Sequence, residues 1–322
     1  MLLPDPLRTY RDDCRRLAHW PVGRAVQGAL AELLEPWAAP AAGLRYDVIW
    51  CRSTDACAAL LAGDSGCTHE QARQFAPFQP ALYWPGYGVF VNGPELSGAE
   101  GAQFAEGLLD AEDTRRLLRL VLHEQAGHGF VMHHTRLGLA QMRDSTWREA
   151  ARATPPEWSR VPELEARMRR LGAGCLLTVE GFSEWVADRL LPEVCARLEI
   201  APEPRRTPPD LPEDLAEARE APLSADDTQD LLTALDVPKR AYDLGHAAFG
   251  ALEETWGDVA CAAATAIACG ERSPDALADR PDVRLLQMLG LRGDPGPAGL
   301  AAAARNEFGW NVPVEWRATH RT

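Results

Sequence analysis

Apolar positions along this chain recur mainly at three- and four-residue spacing, and β-type runs are short. Helical periodicity covers residues 7–38, with breaks at Pro21 and Pro36. A brief extended run follows at 45–50, then a helical piece at 55–62. Between Pro85-Gly86 and Gly93-Pro94 the run 88–92 reads as an exposed strand, because turn residues bracket it on both sides. A helix should begin near Asp113, where an acidic start precedes Leu117, Leu118, Val121 and Leu122, and should continue to about His134. Two more helices are expected at 162–171 and from 174 to 191, the second ending where Pro192 interrupts the pattern. Residues 201–230 contain six prolines and nine acidic residues and read as a long exposed connection or insert. Helix resumes over 238–268, and a Gly- and Pro-rich stretch at 293–299 precedes a short helical piece at 300–305. The pattern thus predicts a mainly α chain with a small β-sheet or edge strand. It falls into an N-terminal helical region with a short strand (1–80), a core (81–200), the Pro/acidic connection (201–230) and a C-terminal helical part that completes the core (231–322).

Composition narrows the partners. The 322 residues carry a net charge of −14 and no Lys/Arg-rich run, which disfavours nucleic acid and anionic membrane surfaces. No apolar run approaches the ~18 residues of a membrane-spanning helix. Charges interrupt the N-terminal segment at once, so no signal peptide is expected and the protein is assigned to the cytoplasm. Eight cysteines occur without any CxxC pair, which argues against a disulfide framework. Cys261 and Cys269 lie in an Ala-rich helical stretch and read as buried thiols, and the spacing of Cys51, Cys57 and Cys67 fits no usual metal pattern.

The chemistry concentrates in the segment LVLHEQAGHGFVMHH at 120–134, which holds four of the chain's eight histidines. His123 and His128 flank Glu124, an arrangement in which two neutral imidazoles bind zinc and the adjacent carboxylate takes a proton from water. The spacing is HExxxH rather than HExxH. On an α-helix, residues four apart diverge by about 40° and residues five apart by about 140°, so an ideal helix cannot aim both imidazoles at one ion. A π-bulge absorbs the additional residue, and Gly127 sits where local widening is tolerated. A distorted turn between Glu124 and His128 is therefore expected. His133 and His134 read as structural neighbours.

A third ligand is needed, with one position left open for water. In LLTVEGFSEWVADRL, Glu180, Glu184 and Asp188 recur every fourth residue and share one helical face. Glu180 is the candidate ligand, and Glu184 or Asp188 would orient a ligand imidazole from behind.

The order of segments resembles a bacterial family of uncharacterised zincins related to the carboxypeptidase Taq group. The matching pieces are Pro85-Gly86 through Phe90-Val91-Asn92, HEQAGHG at 123–129, VEGFSEW at 179–185 and AYDLGHAAF at 241–249. The family motif has four residues between its glutamate and second histidine, and this chain has three and no proline. In that respect HEQAGHG is similar to the dipeptidyl peptidase III family, which also places two glutamates four apart in its second motif. Both resemblances imply a zincin-like helical domain in which His123, His128 and Glu180 hold a single Zn2+ and Glu124 is the base. The first also implies a catalytic role near Tyr242.

The expected reaction is metal-assisted hydrolysis of an amide bond in a short peptide or peptide-like molecule. Tyr242 is the first candidate donor to the tetrahedral oxyanion and His246, one turn on, the second. The strand carrying Gly88, Phe90 and Asn92 could pair with an extended substrate, and Tyr83, Trp84 and Tyr87 could wall its pocket. Two alternatives stay open: a metal-dependent lyase or hydratase acting on a small metabolite, and a non-catalytic metal-binding interaction protein.

Overall fold

The computed structural model describes residues 5–17, 20–34, 44–65, 67–101, 103–104, 109–201, 204–270 and 281–310. The fold is mainly helical with a small four-stranded sheet, as the periodicity predicts. The strands are β1 (Cys14–Arg16), β2 (Val48–Cys51), β3 (Ala81–Trp84) and β4 (Gly88–Asn92), in the order β1-β2-β4-β3. β2 and β4 pair in parallel at the centre, and β1 and β3 pair antiparallel on the two outer sides. Both central strands are buried throughout, which is why their sequences, VIWC and GVFVN, show no polar alternation.

Two compact units interleave along the chain. The first comprises residues 1–29, 42–129 and 187–205, and the second 30–41, 130–186 and 206–322. The first unit contains the sheet, most of α1 (Val22–Leu34), α2 (Thr54–Ser65), α3 (His69–Phe75), α4 (Gly93–Ser97) and α5 (Ala111–Leu122). Its core gathers Leu7, Ile49, Cys51, Ala56, Leu60 and Phe90. The second unit is helical, with nearly all of α6 (Gly129–His134), then α7 (Arg136–Ala153), α8 (Val161–Ala173) and the first half of α9 (Leu176–Arg197). It continues through α10 (Glu213–Glu220), α11 (Ala225–Ala234), α12 (Val237–Trp256), α13 (Asp258–Ala268), α14 (Pro281–Leu289) and α15 (Pro297–Phe308). Phe130, Phe182, Trp185 and Phe249 form a fully buried aromatic cluster there. The indole N–H of Trp185 donates to Glu253 at 2.8 Å, tying α9 to α12.

Several expectations are corrected. Residues 14–16 are a strand rather than helix, because their backbone pairs with β2, and residues 35–38 of the same expected helical stretch lie outside the described residues. The strand Gly88–Asn92 exists but is neither exposed nor at an edge. Gly88 has φ +112°, and a Cβ there would lie 2.2 Å from the Asp47 carbonyl oxygen, so its glycine serves close strand packing. Phe90 is a core residue, and the Asn92 amide donates to the carbonyls of Ala76 (2.7 Å) and Gln79 (3.2 Å). Phe90 and Asn92 are thus engaged in packing and hydrogen bonds within the first unit, and the outer strand on this side of the sheet is β3.

Helix α9 also runs through Pro192 to Arg197. A mid-helix proline removes the bond to the carbonyl four residues back and its ring crowds that carbonyl, but the buried faces on both sides of it hold the helix in place. The acidic, proline-rich stretch 201–230 contains α10 and the start of α11, and Leu215 and Ala218 are fully buried in it. Glu213, Glu217, Glu220, Asp226, Asp227 and Asp230 lie on the solvated faces of these two packed helices. Helix α7, which the periodicity did not reveal, buries Leu137, Gly138, Ala140 and Ala151 beside charged Asp144 and Arg148, which dilutes its apolar stripe.

Candidate metal centre

The centre starts from the helix that carries the histidines. Asp110 caps α5 by accepting from the Asp113 N–H at 2.8 Å. Leu117, Leu118, Val121 and Leu122 bury one face, which aims the next turn inward. Regular α-helix stops at Leu122, and His123–His128 is π-helical. The Gly129 N–H donates to the Glu124 carbonyl, five residues back. This widened turn returns residues five apart to one side of the helix, which the HExxxH spacing demands. Gln125, fully buried, anchors the turn by donating to the Asp47 carbonyl at 3.2 Å. Gly129 lets the helix approach β3, since a Cβ there would lie 2.7 Å from Leu44 Cδ1 and 3.3 Å from the Tyr83 ring.

His123 is buried and His128 half-buried. Their Nε2 atoms lie 3.2 Å apart with the ring planes at 63°. Two imidazole nitrogens bound tetrahedrally at about 2.0–2.1 Å from one zinc would lie about 3.3 Å apart, so the pair fits a shared ion. His123, His128 and Glu180 together form a group whose ligand atoms lie within 4.8 Å of one another and which can hold a metal ion. Glu180 lies on α9, and Asp188, two turns further along that helix, accepts a hydrogen bond from Arg119 Nε of α5 at 2.7 Å. The Asp188 carboxylate is fully buried, so this ion pair fixes α9 against the helix that leads into the histidines. Asp188, foreseen as orienting a ligand imidazole, is engaged in this ion pair with Arg119. Glu184, on the same face, is half-buried.

Glu124 is 6% exposed, and its Oε2 accepts the backbone N–H of Tyr83 at 2.8 Å. In β3 the pairing with β4 alternates: the Asn92 N–H donates to the Pro80 carbonyl, so the backbone of Tyr83 points away from β4, toward the motif turn. Tyr83 itself is buried, and its hydroxyl accepts the Arg45 N–H at 3.3 Å, while burial pushes its phenol up to about 12.

In the second unit, α9 begins on the carboxylate of Asp282, which accepts from Leu177 N–H (3.1 Å), Thr178 N–H (2.8 Å) and the Thr178 hydroxyl (2.7 Å). α9 and α12 then cross at Gly181 and Gly245, where a Cβ on either would lie about 2.5 Å from the other's Cα. Glu180 and His246 are the neighbours of these two glycines. His246 is 6% exposed, whereas Tyr242, one turn before it, is 53% exposed. His134 stacks on Phe130 at 4.8 Å, and burial, aided by His133, pushes its pKa down to about 4.

Sequence reasoning found the histidines, Glu124 and Glu180 but missed Arg119, Asp282, the Tyr83 N–H and the glycine crossing. The isolated glycines inside two long helices were the available signal, since glycine in a helix interior is unfavourable and needs a packing reason. Nothing in the sequence marks a particular backbone N–H. Among the described residues, no helix is long and apolar enough to cross a membrane. Comparison with protein-family models, with curated proteins and with solved structures finds no match to this chain.

Proposed function

We propose that this chain is a zinc-dependent hydrolase that cleaves an amide bond in a short peptide or peptide-like metabolite. His123, His128 and Glu180 would hold the ion, and two imidazoles with a carboxylate suit zinc. When bound, zinc supplies polarisation of the scissile carbonyl and a water that ionises near neutral pH. Glu124 takes the proton of the attacking water and passes it to the leaving nitrogen. One of its oxygens is fixed by the Tyr83 N–H, and the carboxylate's other oxygen carries the proton.

His246 is favoured over Tyr242 as the donor to the developing oxyanion, because it is buried and flanks the glycine crossing beside Glu180, whereas Tyr242 is half exposed. An extended substrate would lie along β3 rather than β4, since β3 is the strand at the sheet's edge next to Glu124.

The observation that carries this reading is the buried, backbone-fixed Glu124 beside two imidazoles whose Nε2 atoms converge to 3.2 Å. A site that only stores metal has no use for such a base. The test is a Glu124→Gln variant assayed on a peptide library alongside the zinc-loaded protein. Retained zinc with turnover reduced about 100-fold or more is expected. Peptide cleavage at the unmodified rate would remove Glu124 from the mechanism, and absence of any cleavage by the zinc-loaded wild type would point to other metal-dependent chemistry.

A further inference from the structure

Half of the chain's eight cysteines gather at one place in the first unit. Cys51 and Cys57 are buried in the core cluster beneath the sheet, and Cys14 and Cys67 pack against it. Within this group Cys14 and Cys51 stand directly opposite each other on β1 and β2, with their Sγ atoms 3.8 Å apart.

Their place in the ladder matters. The Arg52 N–H donates to the Asp13 carbonyl, and the Leu17 N–H donates to the Val48 carbonyl. Pairs 13/52 and 17/48 are therefore the hydrogen-bonded kind, and the alternation of an antiparallel ladder makes 14/51 a non-hydrogen-bonded pair. At such pairs the Cα atoms approach to about 4.5 Å and the side chains lie on the same face, which falls within the span a disulfide bridges. Only side-chain rotation is needed to bring the sulfurs together. Cys14 is half-buried and reachable, whereas Cys51 is fully buried.

We propose that Cys14 and Cys51 form a reversible dithiol–disulfide pair that exchanges with low-molecular-weight disulfides. The Cys14 thiolate attacks one sulfur of RS–SR, forming Cys14–S–SR and releasing RS−. The Cys51 thiolate then attacks the Cys14 sulfur, forming the Cys14–Cys51 bond and releasing the second RS−. The two cysteine protons end on the two released thiolates, so two thiols are oxidised and one disulfide is reduced. The product closes a loop between positions 37 residues apart and fastens the short outer strand β1 to the buried strand β2. The contact with Cys51 and then burial raise the Cys14 thiol, and although the contact with Cys14 lowers it, the Cys51 thiol is held well above its ordinary range by the contact with Cys57 and by burial, so the exchange accelerates as pH rises.

Trypsin separates the relevant cysteines cleanly: Cys14 falls in the peptide 12–15, Cys51 in 46–52, and Cys57 and Cys67 share 53–73. The full-length protein is equilibrated with oxidised glutathione at pH 8, blocked with iodoacetamide under denaturing conditions and mapped by mass spectrometry. The expected product is peptide 12–15 linked to 46–52, with a melting temperature several degrees higher that returns on reduction. A Cys51→Ala variant should accumulate glutathione on Cys14, and a Cys14→Ser variant should form no link to 46–52. Separately blocked Cys14 and Cys51 peptides at equilibrium, a lasting glutathione adduct on Cys14 in the wild type, or linkage to 53–73 instead would each overturn the proposal.

Discussion

The backbone N–H of Tyr83 and the carboxylate of Glu124 meet at 2.8 Å, joining the edge of the sheet to the π-helical turn of the histidines. Both groups are buried, so each depends on the other for its hydrogen bond. The contact engages Oε2 of Glu124 and fixes the carboxylate against the sheet.

Glu124→Gln should therefore be close to the wild type in stability, because its amide oxygen can accept the same N–H. Glu124→Ala leaves the Tyr83 N–H buried without a partner and should cost about 1–3 kcal/mol. Urea denaturation of the two variants, with metal removed, measures the difference. Equal stability would mean that the hydrogen bond contributes nothing.

Reconstituted protein should bind about one zinc per chain, as expected for a three-ligand site. His123→Ala and His128→Ala should each abolish stoichiometric binding, and excess chelator should lower the melting temperature of the wild type but not of either variant. Elemental analysis together with thermal scans checks this. No metal after reconstitution would remove the basis for the proposed reaction.

Alanine at Gly181 or Gly245 should be severely destabilising, by about 3 kcal/mol or more. The added Cβ would meet the backbone of the facing helix at 2.4–2.5 Å, and backbone cannot rotate away. Gly129→Ala should cost less, about 1–3 kcal/mol, because its nearest obstacle is the end of the Leu44 side chain at 2.7 Å. Chemical denaturation ranks the three; a milder effect at Gly181 than at Gly129 would contradict the crossing geometry.

Two buried groups bias stability in opposite directions with pH. Desolvation raises Asp282 from 3.8 to about 7 despite its hydrogen bonds to Thr178 and Leu177. The folded state then holds a proton that the unfolded state has lost, so this contribution is present below about pH 4 and is lost as pH rises to about 7. His134 is lowered from 6.5 to about 4. The unfolded state binds that proton first, so this contribution is present above about pH 6.5 and is lost as pH falls toward 4. In the wild type the two slopes offset one another. Asp282→Asn should make stability rise more steeply from pH 4 to 6.5, and His134→Gln should make it fall over the same range. Denaturant midpoints measured across this range check both, and unchanged profiles would contradict both shifts.

Periodicity and local chemistry settled much of this molecule. The apolar face of α5, with acidic residues in its first turn, was written in consecutive residues, and the HExxxH spacing itself required the widened turn seen at His123–His128. Glu180 was legible because four-residue spacing on one helix is a local property. The tertiary structure decided what depends on partners distant in sequence. Gly88–Asn92 became an interior strand because β2 occupies one side and β3 the other, and an isolated strand pattern does not state how many neighbours it has. Asp188 was paired with Arg119, 69 residues away, and Asp282 capped α9 from more than 100 residues away. Glu124 was oriented by a backbone N–H, a group that every residue but proline carries and that only the fold can aim.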